Sequence, residues 1–335
     1  MPEAARRPIS ILIDTDPAMG TLGLGSEDPE DGFAIMLALA SPEVDVKAIT
    51  TVQGNVPVAH GYSNARHLTN LLGRPDIPVA PGSAQPMLPP REPFALPLSR
   101  SEPIQLSPLL DVQEAPEDAV DLIARTVMEA SDPVTIVTIA SLTNVALALL
   151  KEPRIAQRAR RLVMMGGAVA VPGNITPAAE ANIWVDPEAA SIVFNSGIPI
   201  TVVGLDVCHQ TLLRLDQLDE IDASTKLGAF AREATRPWFQ KAADFGISGG
   251  MHLYDTLAVA VSFRPELVRT APAWVHVETH GTYTYGQTVA YLTPLHKLWV
   301  GEKTNCDVCL ELVDGPGFSR LFDERVLARL RARRG

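Results

Sequence analysis

A regular alternation of short apolar runs with amphipathic stretches is the feature of this 335-residue sequence that most constrains its fold. The apolar runs have the length and composition of buried strands, and the stretches between them have the spacing of helices. The predicted strands are residues 9–13, 44–52, 134–139, 162–165 and 200–203, and the predicted helices are residues 33–40, 60–72, 144–150 and 187–195. Such alternation predicts an α/β, Rossmann-like fold, with a mostly parallel central sheet that carries helices on both faces.

One proline-rich segment, residues 74–116, interrupts the alternation. Proline fixes one backbone angle and lacks an N–H group, so its recurrence blocks regular structure over most of the segment. The strand and helix pattern resumes afterwards, which favours a long surface loop over a linker between domains. We therefore predict that residues 1–335 form a single domain, with this excursion inside it.

The charge and cysteine content restrict the partners and the compartment. A formal net charge of -11 argues against nucleic-acid binding, which requires a basic face, and favours a small-molecule partner. No apolar run approaches the roughly 20 residues of a membrane span. Three cysteines cannot form a disulfide framework and suit a reducing compartment. We expect a cytoplasmic protein that does not bind membranes.

Six carboxylates follow the first predicted strand within a short segment. They are Asp14, Asp16, Glu27, Asp28, Glu30 and Asp31. Ligands of open α/β sheets gather beyond the carboxyl ends of the strands, where a hard divalent cation such as Ca²⁺ or Mg²⁺ would relieve the repulsion between these groups. An acidic turn in solvent, followed by a capped helix, explains the same residues equally well.

Further polar residues occur in three other segments. Asn55 follows the second predicted strand, and a later loop carries Asn174, Glu180 and Asn182. Amides and a carboxylate at this density suit a polyhydroxylated ligand such as a sugar, because each hydroxyl both donates and accepts. A capped turn is the alternative. Asp255 precedes an apolar helical run and is either its N-cap or part of a metal site.

Taken together and in this order, these segments resemble the inosine-uridine-preferring nucleoside hydrolase family. Residues 14–17, Asp-Thr-Asp-Pro, look like the start of its N-terminal aspartate motif, residues 50–56 are similar to its second-strand asparagine segment, and residues 173–186 match its ribose loop. The resemblance implies the nucleoside hydrolase fold, hydrolysis of the N-glycosidic bond of ribonucleosides to ribose and free base, and a homodimer or homotetramer.

The resemblance also implies roles for particular residues. Asp16 would be a calcium ligand and the general base, with Asp31, Asp255 and the backbone carbonyl of Ile139 as further ligands. The residues that would bind ribose and water are Asn55, Asn174, Glu180 and Asn182. Asp14 would support the end of the first strand. A bound cation lowers the pKa of its water, and an aspartate base would accept the proton.

Two departures from the family pattern affect the site. Family members reach an adjacent aspartate pair three residues after the second aspartate, whereas here residues 17–29 intervene and the pair is Glu30 and Asp31. By position we expect Glu30, rather than Asp28, to contact the ribose. Many members also have a histidine directly before the final aspartate, where this sequence has Tyr254.

The histidine replacement leaves the leaving-group acid and the base specificity open. Tyrosine donates a hydrogen bond but does not titrate near neutrality as histidine does. Tyr254 would stack on the base or donate its phenolic proton, or His252 would approach the base instead. The His-Gly segment of the family has no counterpart in the proline-rich excursion, so the preferred base is not predicted.

Two other functions remain compatible with the residues alone. A strand that ends in Asp-x-Asp also begins haloacid-dehalogenase-like phosphatases, which need a nucleophilic first aspartate and a later lysine. A nucleoside- or ribose-binding protein that has lost turnover would keep the same pocket. Release of free ribose, with and without a chelator, distinguishes these functions.

Overall fold

The computed structural model describes residues 7–20, 28–89, 115–242, 249–301 and 303–331. The strands are β1 Ile9–Thr15, β2 Val44–Thr51, β3 Val79–Pro81, β4 Thr135–Thr138, β5 Arg161–Met165, β6 Ile200–Val203, β7 Leu213–Arg214, β8 Gly250–Met251, β9 Val268–Val277, β10 Thr288–Tyr291 and β11 Cys306–Leu312. The α-helices are α1 Glu30–Ala40, α2 Val58–Leu71, α3 Ala119–Glu129, α4 Thr143–Lys151, α5 Ile155–Arg158, α6 Ala181–Val185, α7 Pro187–Phe194, α8 Leu205–Cys208, α9 Leu215–Asp219, α10 Lys226–Ala242, α11 Tyr254–Phe263, α12 Pro294–Val300, α13 Gly315–Phe322 and α14 Ala328–Leu330. A 3-10 turn at Pro265–Leu267 and a π-helical turn at Asp323–Leu327 complete the described elements.

A nine-stranded sheet forms the centre of the molecule, in the order β10-β9-β11-β6-β5-β4-β1-β2-β3. The strands from β11 to β3 run parallel, while β9 is antiparallel to β11 and β10 is antiparallel to β9. Strands β7 and β8 form a separate antiparallel pair. The prediction of a mostly parallel α/β sheet is confirmed.

Helices cover both faces of this sheet, as predicted, because neighbouring residues of a strand point to opposite faces. In β1, Ile11 and Ile13 join a buried cluster with Phe33 of α1. Leu12, between them, joins a second cluster with Leu122 of α3. Each such side chain, fully removed from water, contributes roughly 1.5–3 kcal/mol to folding. Both clusters therefore anchor the strand ends that carry the polar residues.

The proline-rich excursion, predicted to lack regular structure over most of its length, contains one short strand. Strand β3 lies inside residues 74–116 and pairs in parallel with β2. This strand is short, ends at Pro81 and lies at the edge of the sheet. Proline is tolerated there because an edge strand has a neighbour on one side only, so the N–H group that proline lacks is not needed for pairing. Residues 90–114 of the excursion lie outside the described residues.

The order of the strands determines which loops meet. Strands β2, β1 and β4 are neighbours in parallel register, with Asp14 opposite Thr50 on one side and Thr138 on the other. The residues that follow each strand therefore meet at one edge of the sheet, among them Asp16 and Ile139. In the described part of the chain, no helix has both the length and the apolar character needed to cross a membrane.

Candidate active site

A cavity of about 680 Å³ opens at this carboxyl edge of the sheet. The predicted site residues that line it are Asn55, Ile139, Asn174, Glu180, Asn182, His252, Tyr254 and Asp255. The remaining predicted residues, Asp16, Glu30 and Asp31, are buried and hydrogen-bond to this lining. Loops distant in sequence thus contribute to one site, as the strand-end argument predicted.

Asp16, Asp31 and Asn55 form one hydrogen-bonded group beneath the cavity. The Asn55 backbone N–H donates to Asp16 Oδ2 at 2.7 Å, and its side-chain Nδ2 lies 3.4 Å from Asp16 Oδ1 and 3.3 Å from Asp31 Oδ2. Asp31 Oδ1 also accepts from the Thr15 hydroxyl and, at 3.1 Å, from the Asp16 backbone N–H. The turn after β1 and the first turn of α1 are therefore joined through these carboxylates.

Burial and mutual repulsion disfavour ionisation of the carboxylates in this region. Burial is the main cause that raises the pKa of Asp16 and of Asp255, and repulsion from Asp31 is the next. The pKa of Asp31 is raised to about 6 by burial, against hydrogen bonds from Thr15, Asp16 and Asn55. Within the described residues, none of these three aspartates pairs with a lysine or arginine. The ionised cluster lacks a compensating positive charge from this part of the chain.

The donor chemistry of this cluster fits a hard divalent cation. Asp16, Asp31 and Asp255 supply carboxylate oxygens, and the backbone of Ile139 lines the same cavity. Calcium and magnesium bind such oxygen ligands. The described residues contain no group of three His, Cys, Asp or Glu side chains already arranged to hold a metal ion. The predicted ligands thus gather in one region without forming a closed coordination shell.

Glu30 does not occupy the position expected for it. Its side chain is fully buried and accepts hydrogen bonds from the backbone N–H groups of Asp255 and Thr256 and, at 2.6 Å, from the Thr256 hydroxyl. Burial raises its pKa to about 8. Asp28, not Glu30, lines the cavity, so the expectation that Glu30 faces the sugar is corrected. The longer glutamate side chain reaches the start of α11 instead.

Asp14 lies in β1, behind the site, with β2 on one side and β4 on the other. Its Oδ1 accepts from the Thr50 hydroxyl at 2.6 Å and from Asn144 Nδ2 at 2.8 Å. Asn144 Nδ2 also donates to the Thr51 carbonyl, and Asn144 Oδ1 accepts from the Ser83 backbone N–H. These contacts join the ends of β1 and β2 to α4, which agrees with the supporting role predicted for Asp14.

The loop between β5 and α6 presents complementary amide groups to the cavity. Asn174 Oδ1 accepts from the Ala181 backbone N–H at 3.0 Å, which leaves its amide nitrogen to donate. Asn182 Nδ2 donates to the Met165 carbonyl at 3.2 Å, which leaves its oxygen to accept. Glu180 caps α6 by accepting from the backbone N–H groups of residues 182 and 183. Burial raises the pKa of this glutamate.

Three aromatic rings form the other wall of the cavity. The ring centroids of His209, His252 and Tyr254 lie 5.2 to 5.9 Å from one another. Burial, followed by the negative charge of Asp28, raises the pKa of Tyr254. The phenol therefore keeps its proton at neutral pH and can donate a hydrogen bond to an acceptor in the cavity.

The sequence interpretation missed His209 and Trp238 among the lining residues. His209 follows α8, a short helix that begins just after β6. Polar residues near the carboxyl end of a strand tend to face the ligand, and this is the sequence signal that indicates His209. Trp238 lies in α10, next to Pro237 within the helix. No local signal distinguishes a cavity-lining tryptophan in an amphipathic helix from one that packs in the core.

The parallel sheet, the carboxylate cluster at its carboxyl edge and the amide-bearing loop beside it define an α/β protein with a cleft for a polyhydroxylated small molecule. Comparison with known proteins is consistent with this class. Residues 11–320 match the inosine-uridine preferring nucleoside hydrolase family. The chain therefore belongs to the inosine-uridine preferring nucleoside hydrolase family.

Individual relatives agree with this membership. The chain is 39% identical over 327 residues to the pyrimidine-specific ribonucleoside hydrolase RihA of Salmonella paratyphi B, covering 95% of this chain and 98% of that protein. Among solved structures, the purine-preferring ribonucleoside hydrolase from Gardnerella vaginalis aligns with a TM-score of 0.80 and 33% identity, covering 95% of this chain and 98% of the other. A plant nucleoside hydrolase, PpNRh1, aligns with a TM-score of 0.79 and 30% identity, covering 96% and 99%.

Family membership confirms the predicted fold and the predicted activity. The protein is an enzyme, a nucleoside hydrolase that converts ribonucleosides to ribose and free base. Members of this family generally depend on a metal ion. The phosphatase alternative loses its support, because it does not predict this family match.

Proposed function

We propose that this nucleoside hydrolase holds a calcium ion through Asp16, Asp31, Asp255 and the carbonyl oxygen of Ile139, and that Asp16 is the general base. The observation that carries the proposal is the buried carboxylate cluster, which lacks a lysine or arginine partner within the described residues and borders a cavity lined by sugar-compatible amides. When bound, the cation would supply Lewis-acid chemistry that lowers the pKa of a water molecule.

Asp16 has the properties that a general base needs here. It is buried, it lies beside the cavity through its contact with Asn55, and burial raises its pKa. A carboxylate whose pKa is raised is a stronger proton acceptor for attacking water. The two hydrogen bonds from Asn55 orient the carboxylate toward one side of the cavity, so the proton acceptor is positioned before the substrate arrives.

The cavity lining suits a ribose ring in two respects. Asn174 offers a donor and Asn182 an acceptor, which together match hydroxyl groups. The carboxylates of Asp28, Glu180 and Asp255 lie on the same lining and would favour the positive charge that develops on the sugar as the glycosidic bond breaks. We therefore assign Asp28, rather than Glu30, as the carboxylate that contacts the ribose hydroxyls.

The base of the substrate would lie against the aromatic wall. His252 and Tyr254 are the predicted residues on that wall, and Tyr254 supplies a phenolic donor. The pyrimidine-specific and purine-preferring relatives are both similar to this chain, so they do not select a base. A panel of inosine, uridine, cytidine, adenosine and guanosine defines the preference.

The experiment that tests the proposal is measurement of free ribose as reducing sugar after exhaustive chelation and after return of single cations. We expect chelation to abolish activity, and calcium to restore it more fully than magnesium or zinc. Asp16→Asn keeps the volume but removes the base, and should lower kcat by roughly 10³-fold. Full activity of the chelated enzyme, or of Asp16→Asn, would contradict the assignments.

Four further properties belong to the same proposal. A role in purine or pyrimidine salvage follows from release of a free base. A cytoplasmic location is supported by the three cysteines, Cys208, Cys306 and Cys309, which are free and buried. A homodimer or homotetramer and a single domain over residues 1–335 are proposed by family resemblance; the continuous nine-stranded sheet supports the single domain. Light scattering measures the oligomeric state.

A further inference from the structure

The aromatic wall contains a histidine to which neither the family resemblance nor the proposed function gives a role. His209 lines the cavity, and its ring centroid lies 5.2 Å from that of His252 and 5.9 Å from that of Tyr254. The inference below rests on the proposed function, because it assigns His209 a part in the departure of the base.

The hydrogen-bonding state of His252 is determined by its neighbour. Its Nδ1 lies 2.7 Å from the carbonyl oxygen of Thr211, and a carbonyl oxygen only accepts, so Nδ1 carries a proton. The hydroxyl of Thr211 accepts from the backbone N–H of Leu253, which holds the same segment. In the neutral ring, Nε2 of His252 is then an acceptor and cannot donate to a departing base.

His209 differs from His252 in its hydrogen bonding and keeps an N–H group that can face a ligand. Within the described part of the chain, neither ring nitrogen of His209 takes part in a hydrogen bond. Partial removal from water lowers the pKa of His209, against the negative charge of Asp206, which raises it. The imidazole of His209 is therefore uncharged near pH 7. It carries one N–H group, which can donate a hydrogen bond to a ligand in the cavity.

The charge distribution of the cavity favours a neutral donor at this wall. Breaking the glycosidic bond moves its electron pair onto the base nitrogen and leaves positive charge on the sugar. A cationic imidazolium at the base would repel that sugar charge, whereas a neutral N–H stabilises the departing base without this cost. The acidic wall with Asp28 and Asp255 and the aromatic wall with His209 thus match the two products of the cleavage.

We propose that His209 is a catalytic residue that donates a hydrogen bond from its neutral imidazole to the departing base. The bond from the sugar carbon to the base nitrogen breaks, and water forms the new bond to that carbon and gives a proton to Asp16. His209 keeps its own proton throughout. The base anion takes a proton from solvent, and Asp16 returns one to solvent, so the step balances.

The test compares two leaving groups in two variants. His209→Phe keeps a ring but lacks a donor, and His209→Gln replaces the ring with an amide donor. Each is assayed on the best nucleoside and on 4-nitrophenyl β-D-ribofuranoside, whose nitrophenolate leaves without a hydrogen-bond donor. We expect His209→Phe to lower kcat on the nucleoside by roughly 10²-fold, with a change of less than about 3-fold on the nitrophenyl riboside. His209→Gln should recover part of the loss.

A matched control separates this role from packing. His67 also contacts an aromatic ring, that of Phe230 at 5.1 Å, but does not line the cavity. His67→Phe should leave both substrates unaffected. If His209→Phe fails to fold, His209→Leu provides the same comparison.

Three outcomes would overturn the inference. An equal loss of kcat on both substrates would show that His209 has a structural role only. Full activity of His209→Phe on the nucleoside would show that His209 has no role in catalysis. In either case the wild-type enzyme still releases ribose, so the proposed function stands. A wild-type protein that cleaves neither substrate under any cation would overturn the proposed function together with this inference.

Discussion

The carboxylate of Glu30 accepts a hydrogen bond of 2.6 Å from the hydroxyl of Thr256, a residue 226 positions further along the chain. It also accepts from the backbone N–H of Thr256 at 3.2 Å. This contact joins the first turn of α1 to the first turn of α11. Asp31 and Asp255, the predicted metal ligands on those two turns, are thereby held close to each other.

Loss of this contact should affect stability and cation binding together. Glu30→Ala leaves the hydroxyl and two buried N–H donors at the start of α11 without an acceptor, which should lower the free energy of unfolding by about 3 kcal/mol. Thr256→Val removes one hydrogen bond and should cost about 1 kcal/mol. Urea unfolding measures both, and calcium titration should show weaker binding for Glu30→Ala. Equal stability of the two variants would contradict the role assigned to Glu30.

A glycine behind the site should be needed for the position of Asp16. A Cβ atom added to Gly54 would lie 1.7 Å from Asp16 Oδ2, so the carboxylate would have to move. We expect Gly54→Ala to lower kcat by roughly 10²-fold, because a displacement of about 1 Å is enough for such a loss. Gly315→Ala is the control, since its added Cβ would come no closer than 3.5 Å to Leu312. Similar activity of the two variants would show that Asp16 tolerates the shift.

The buried carboxylates predict how stability depends on pH. Burial raises the pKa of Asp14 and of Asp28 to about 7 and that of Asp31 to about 6, all above the ordinary value of 3.8. Folding therefore favours their protonated forms, and this contribution is full below about pH 4 and is lost as the pH rises through 6 to 7. Each unit of raised pKa costs about 1.4 kcal/mol once the group is ionised.

Melting temperatures of the chelated enzyme should therefore fall between pH 5 and pH 8. Calcium should raise the melting temperature more at pH 8 than at pH 5, because a cation binds the ionised carboxylates. The measurement is thermal unfolding at several pH values, with chelator and with calcium. A chelated enzyme whose melting temperature is independent of pH would contradict the raised pKa values of these carboxylates.

Tyr254→Phe tests the phenolic donor at the position where many family members have histidine. The ring and its contacts with His209 and His252 are kept, and only the hydroxyl is lost. We expect kcat on the best nucleoside to fall by at least roughly 10-fold, and KM to change much less, because the contact forms as the base departs. Steady-state kinetics measure both. If the variant keeps full activity, the phenol is not a donor.

Much of the architecture could be predicted from the sequence because it depends on local patterns. The apolar runs before Asp14 and before Gln53 have strand character wherever they lie, and their alternation with helices requires a parallel sheet. Parallel strands bring their carboxyl ends to one edge, so the neighbourhood of Asp16 and Asn55 followed without coordinates. Strand β9 was not predicted, because exposed positions interrupt its apolar residues and weaken the pattern.

The family motifs also indicated part of the cavity lining, since Asn174, Glu180 and Asn182 lie in one short segment and all three line the cavity. Asp28 lies in the inserted segment and Glu30, two positions later, begins α1. Their spacing does not determine which of them faces the cavity. The three donors at the start of α11 determine it, and they come from a segment more than 200 residues away.

The places of His209 and Trp238 also depend on contacts between distant segments. Helix α8 packs against β6, β11 and α11, and helix α10 packs against α9 and β8. Sequence periodicity determines the secondary structure and the edge at which the ligand binds. Only tertiary packing determines which buried polar side chain forms hydrogen bonds with a distant helix and which remains available to a substrate. The reason is that hydrogen bonds between segments far apart in the chain leave no local pattern in the sequence.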